Sequence, residues 1–275
     1  MNYDQLPSAY HAKQQERIEK LRSTIAEKEM VVAVGNVIPD HGDLRIGTGR
    51  FLNAAVLFVD ICDFTSRLSN TMAEQEMMLR MLSFFFTEMI RIVEDYGGTV
   101  EKNTGDGLMA YFEDEPGEGE TGAKRALAAT LTMFYASEHD LNPVIARTGL
   151  DPIQFRAGLE YGSVTVAQVG RARGYNSIVA IGTPANLASK MLNFGSKNEI
   201  VIGKKAAMQL PPGWQQWCHV VERGSGFYYL ANGTPYPFYR YVGRWTGPKP
   251  ERSMLELLAG LPMPTIPPPP KIFGE

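Results

Sequence analysis

Apolar positions along the chain change period several times, and each change marks an element. Residues 10–30 set Ile18, Leu21 and Ile25 three and four apart among charged side chains, the period of a helix with a narrow apolar stripe. Such a stripe suits a helix laid on its own domain or a short coiled-coil contact between copies. Residues 31–53 contain VGNVIPDHGDLRIGTGRFLN, where Gly, Pro, Asp and His in quick succession predict a linker or arm. AAVLFVDI (54–61) is an unbroken apolar run, the pattern of a buried strand. CDFTSRLSN follows, and a long helical period then covers about 71–96.

The second half of the pattern repeats these periods. TVEKNTGDGLMAYF (99–112) holds two β-prone segments hinged at Gly105-Asp106-Gly107, which predicts a hairpin with a tight turn. The acidic, glycine-rich EDEPGEGETG (113–122) is a surface loop, and a helix is predicted at about 123–138. IQFRAGLEYGSVTVAQVG (153–170) reads as a second hairpin-like pair, and a helix at about 183–195 leads into EIVIG. The order approximates βαββαβ, an α+β arrangement. Residues 214–242 add strand-like segments, and 246–275 end in LPMPTIPPPPKIFGE, whose prolines impose extended polyproline II or disorder. There is no internal repeat. The chain divides into an N-terminal helix and arm (1–50), a main domain (51–245) and a Pro-rich tail (246–275).

Composition narrows the function. The 275 residues are 44% hydrophobic, with 27 basic and 30 acidic side chains and a net charge of -3, as in an ordinary globular protein. No Lys/Arg-dense run offers a footprint for nucleic acid or an anionic membrane. No apolar stretch reaches the roughly 18 residues that cross a bilayer, and the polar N-terminus lacks a signal-peptide pattern, so the expected address is cytoplasmic. Cys62 and Cys218 form no CxxC pair, and His11, His41, His139 and His219 are scattered, which leaves a zinc site or disulfide framework without support. A bound metal would take oxygen ligands.

Two carboxylates meet that requirement. Asp60 ends the predicted buried strand and Asp106 tips the predicted hairpin, so an antiparallel sheet brings both to one edge. Hard divalent cations pair one or two carboxylates with substrate phosphates, which suits such an edge. Aspartates at strand ends also serve as turn and cap residues, and on these two residues alone both readings stand.

Three ordered motifs go further. AAVLFVDICDFTSRLS resembles the first strand and turn of class III adenylate and guanylate cyclases, EKNTGDGLMAYF resembles their metal-binding hairpin, and IGTPANLASKM their transition-state helix. With FRAGLEYGSVTVAQVG, the resemblance runs from about residue 54 to about 205. It implies a ferredoxin-like core that dimerises head to tail, each active site being built from both subunits. By the same resemblance, Asp60 and Asp106 with the Ile61 carbonyl hold two Mg2+ or Mn2+ ions. The turn Cys62-Asp63-Phe64-Thr65, opening the long helix, presents backbone amides to the triphosphate, with Asp63 in place of the usual glycine. From the opposite subunit Asn186 orients the ribose, and Lys190 stands where an arginine stabilises the phosphorane, keeping the charge but losing the guanidinium fork. Arg223, in VERGSG, resembles the basic residue that meets the terminal phosphates.

The base is read by few groups in this family. In adenine-reading members a lysine four residues before the second metal aspartate donates to the ring, and an Asp or Thr seven residues before the asparagine accepts from the amine. Lys102 meets the first condition, while the second position is Val179, which leaves an adenine amine unpaired at a cost of about 1–3 kcal/mol. Guanine needs an acceptor where Lys102 stands. A pyrimidine fits better, with Phe58, Thr104, Val179 and Ile181 lining a tight pocket. This pattern resembles the bacterial Pycsar-type pyrimidine cyclases, antiphage enzymes that make cyclic UMP or cyclic CMP for a separate effector. UTP is the expected substrate, because Lys102 can donate to uracil O4. The alternatives are a cytidylate or adenylate cyclase, or a silent nucleotide-sensing or dimerisation domain; both aspartates, Asn186 and a cation at Lys190 being present favours an active enzyme.

Overall fold

The computed structural model describes residues 6–27, 49–67, 70–103, 105–114, 121–147, 149–172 and 175–247. Helix α1 (Ser8–Glu27) precedes strand β1 (Gly49–Ile61) and helix α2 (Met72–Asp95). Then come β2 (Thr99–Asn103), β3 (Gly107–Glu113), α3 (Gly122–Ala136), α4 (Asn142–Ala146), β4 (Phe155–Ala172) and β5 (Tyr175–Ile181). The chain continues through α5 (Thr183–Met191), β6 (Ile200–Gly203), α6 (Lys204–Met208), α7 (Pro212–Gln215), β7 (Cys218–Val220) and β8 (Phe238–Tyr241). Among the described residues one eight-stranded sheet runs in the order β2-β3-β1-β4-β6-β8-β7, with β5 paired to β4. The path from β1 to β4 is βαββαβ with spatial order 2-3-1-4, the ferredoxin-like core of an α+β fold, and β6, β7 and β8 extend it.

Parity along β1 explains why the sheet has two unlike faces. Ala55, Leu57, Val59 and Ile61 enter the main core with α2 and α3, while Ala54, Val56 and Phe58 join a second cluster with Met109, Tyr111, Val164, Val166 and Ala188. Asp60 continues that second row. Helix α2 starts at a capping box, Thr71 accepting from the Glu74 amide while the Glu74 carboxylate reaches back to Thr71. It buries Phe84, Phe85, Phe86, Met89, Ile92 and Val93.

Three expectations change. Residues 49–53 are not part of an arm but the first residues of β1, held in register by Gly49 to Asn53 pairing with Ala167 to Ser163. Residues 153–170 form no hairpin: β4 is one long strand, and its hairpin partner is β5. The turn after β1 does not open the long helix, since a short 3-10 turn, Phe64–Ser66, intervenes and α2 starts afresh at Thr71. Helix α1 is laid on its own domain. Leu6, Tyr10 and Ile18 enter the main core, whereas the Leu21 and Ile25 side chains lie outside the described residues. So do 28–48, the 115–120 part of the acidic loop, and the Pro-rich segment from 248 onward.

Candidate active site

Asp60 and Asp106 come together at one end of the sheet. Asp60 is the penultimate residue of β1, Asp106 lies in the β2–β3 turn, and the Ile61 amide donates to the Asp106 carbonyl at 2.8 Å. Cα partners there are Asp60 with Gly107 on one side and Arg156 on the other. Gly105, at φ 97, gives the hairpin its left-handed step. The Asp60 carboxylate is not bare: Arg156 Nε and Nη2 donate to the same oxygen at 2.9 and 2.8 Å. Arg156 was not among the expected residues, because only the β1–β4 register reveals it.

The turn after β1 is fixed by its backbone. The Cys62 amide donates to the Gln154 carbonyl at 2.8 Å, and the Ser66 amide and hydroxyl both donate to the Asp63 carbonyl, at 3.1 and 2.7 Å. Arg67 staples the turn to the next loop by donating to the carbonyls of Asp151 and Pro152. Asp63 adopts φ 55, ψ 26, the left-handed region that glycine enters most readily and that Asp or Asn tolerates better than most. Its carboxylate meets Lys197 Nζ at 2.5 Å. That contact holds the Asp63 carboxyl below its ordinary value and the Lys197 ammonium above its own. Burial pushes the Cys62 thiol up, which disfavours a thiolate beside the carboxylates. A cavity of about 750 Å³ opens beside the turn, lined by Asp63, Arg67, Met77, Met81, Leu150 and Lys197 among others.

The other expected residues distribute over both sheet faces. Phe58 is half-buried in the Asp60 row, whereas Phe64 packs on the main core and Thr65 is exposed. The 3-10 bonds of the turn run from Ser66 to Asp63 and from Arg67 to Phe64, which places the Phe64 and Thr65 amides ahead of the first bond. Lys102 sits at a break in register opposite Met109. Val179 is opposite Ala167, and Ile181, 53% exposed, closes β5. The side chains of Lys102 and Val179, and all of Thr104, lie outside the described residues.

Helix α5 lies against β4 and β1 on the Asp60 side of the sheet, through Ala185 and Ala188. Gly158 permits this approach, since a Cβ there would strike the Ala188 carbonyl. Asn186 and Lys190, four apart, are exposed on the helix. Arg223 stacks its guanidinium 5.3 Å from the Phe194 ring, in the turn that follows α5, so it stands at the same end of the helix as Lys190.

A family model of the adenylate and guanylate cyclase catalytic domain matches residues 47–227, and the chain belongs to that family. A uridylate cyclase of Gulbenkiania mobilis is 28% identical over 164 residues, 58% of this chain and 63% of that protein. An adenylate cyclase of Anabaena cylindrica is 30% identical over 179 residues, 62% of this chain but 34% of that protein. The matches thus span under two thirds of either relative. Among solved structures, the guanylyl cyclase Cya2 superposes with a TM-score of 0.59 at 22% identity, covering 74% of this chain and 96% of that one. The adenylyl cyclase CyaB from P. aeruginosa gives 0.55 at 24% identity, covering 74% and 100%. These likenesses establish the fold. No helix among the described residues is long and apolar enough to cross a membrane.

Proposed function

We propose that the chain is a nucleotidyl cyclase that converts a nucleoside triphosphate, UTP in preference, to the 3′,5′-cyclic monophosphate and pyrophosphate at a homodimer interface. The observation that carries this reading is the convergence of Asp60 and Asp106 at one sheet end in a chain of the cyclase family. The donor set is two carboxylates and a carbonyl with no imidazole, which suits a hard divalent cation, and Arg156 is a stand-in cation already seated on Asp60. Asp60, Asp106 and the Ile61 carbonyl would hold Mg2+ or Mn2+, two ions in the complete site. Such ions, when bound, activate the ribose 3′-hydroxyl and neutralise charge on the α-phosphate and the departing pyrophosphate.

The chain's own residues do the positioning. Arg156 holds the Asp60 carboxylate in place at the strand end, and its planar guanidinium is a group that would suit phosphate oxygens. The Phe64 and Thr65 amides face the triphosphate, Arg223 its terminal phosphates, and Asn186 and Lys190 of the partner copy orient the ribose and the transferring phosphoryl group. Preference for uracil rests on Lys102 as a donor and Val179 as a residue that accepts nothing from a purine amine. Similarity to enzymes named uridylate cyclases supports it. The product then serves as a second messenger in antiphage defence, read by a separate effector.

The test is incubation of the purified chain with each of the four ribonucleoside triphosphates and Mn2+, with identification of the cyclic product. Cyclic UMP is expected to dominate, and Val179→Asp is expected to raise kcat/KM for ATP relative to UTP. A wild type that prefers ATP overturns the pyrimidine assignment; one that cyclises none of the four overturns the cyclase reading.

A further inference from the structure

Resting on that reading, we propose that Lys197 is a positioning residue of the phosphate turn: it cancels the charge of Asp63 so that a triphosphate can approach an aspartate standing where glycine is usual. The turn needs a left-handed residue at its second position, and Asp63 supplies one at φ 55. It also places a carboxylate on the path of a polyanion. Of the neighbouring cations, Arg156 is engaged with Asp60 and Arg67 with two backbone carbonyls, while Lys197 Nζ lies 2.5 Å from Asp63 Oδ2.

The lysine is set there by its backbone. Residues 196–199 form a tight turn in which the Ser196 amide donates to Glu199 Oε2 at 2.8 Å and the Asn198 amide to the Phe155 carbonyl at 2.8 Å. Asn198 itself adopts φ 60. Lys197 is therefore carried on a segment pinned on both sides to the start of β4 and to its own loop. Its side chain is 52% exposed and that of Asp63 61% exposed. An ion pair this open adds little to stability, so its consequence lies in the potential the turn presents to a ligand.

The experiment is a cycle of wild type, Lys197→Ala, Asp63→Asn and the double variant, with asparagine chosen because it also tolerates the left-handed region. The intact protein is titrated calorimetrically with Mn2+ and α,β-methylene-UTP, and KM and kcat for UTP are measured in parallel. Lys197→Ala is expected to weaken binding and raise KM on the order of tenfold, kcat changing much less. The loss should shrink as KCl is raised, and Asp63→Asn should recover most of it in the Lys197→Ala background. Equal weakness of Lys197→Ala and the double variant overturns the proposal, as does a loss that salt leaves untouched. Because the titration needs no turnover, a wild type that binds the analogue but cyclises nothing overturns the cyclase reading while the cycle still decides the role of Lys197. A wild type that binds no triphosphate overturns both.

Discussion

Asp60 and Asp63 each hold a cation, Arg156 and Lys197, and the proposed roles differ: Asp60 would serve as a metal ligand, whereas Asp63 would stay neutralised. Asp60→Ala or Asp106→Ala should abolish cyclic-product formation; the thermal midpoint should move little in Asp106→Ala and further in Asp60→Ala, which leaves the Arg156 guanidinium without its carboxylate. A chromatographic product assay beside a circular-dichroism melt reads both; near-normal turnover in either variant sinks the metal assignment. Titration behaves simply at Asp63. Its carboxyl is lowered by Lys197, so the pair persists above the ordinary carboxylate range and fails only as pH falls through the lowered value. The ammonium is raised by Asp63, so the pair persists below the ordinary lysine value and fails only as pH rises through the raised one. The effect of Lys197→Ala on KM should accordingly be flat from roughly pH 6 to pH 9, as a KM series at constant ionic strength would establish. Asp60 and Asp106 were legible in the sequence because strand ends and hairpin tips are local patterns. Arg156 and Lys197 were not, since one depends on β1–β4 register and the other on a loop that folds back from far along the chain.

At the scale of elements, β4 runs unbroken through two glycines. Gly158 and Gly162 look like turn residues inside 153–170, yet they lie within a continuous strand where α5 comes close: Ala188 stands over the first and the Pro184 ring over the second. The same helix-on-strand contact fixes α5 on the sheet. In helix α1 the apolar stripe is narrow because the face that meets α2 also carries the polar Gln14 and Arg17. Glu88, fully buried on α2, accepts from Arg17 at 2.8 and 3.1 Å and from Gln14 at 3.0 Å, while Asp95 accepts from Arg17 and Tyr10 at 3.0 and 3.1 Å. A buried pair contributes little net, but breaking one side leaves a charge without its partner. Glu88→Ala should therefore destabilise the protein by about 3 kcal/mol, read as a lower urea midpoint with the slope unchanged. A midpoint equal to that of the wild type would show that α1 leaves α2 without penalty.

At the scale of the whole molecule, the proposed site draws its two halves of machinery from two copies. The carboxylates sit at the end of β1 and in the β2–β3 turn, whereas Asn186 and Lys190 are exposed on α5. A two-fold dimer that brings α5 of each copy to the carboxylate end of the other makes two equivalent composite sites from one chain type. The prediction is complementation. Asp106→Ala and Lys190→Ala are each expected to be inactive as homodimers, because every site lacks one group. Mixed and allowed to exchange, half the dimers at equilibrium carry one chain of each kind. In such a dimer one site takes the intact Asp106 from one chain and the intact Lys190 from the other, while its second site lacks both. Restored activity should thus approach about a quarter of the wild-type rate at equal protein concentration, a ceiling set by counting sites. Native mass spectrometry on variants of distinguishable mass verifies exchange, and product formation is measured on the same sample. If each copy instead uses its own Asp106 with its own Lys190, mixing repairs nothing, so verified heterodimers without activity would replace the cross-chain site by one contained within a single subunit.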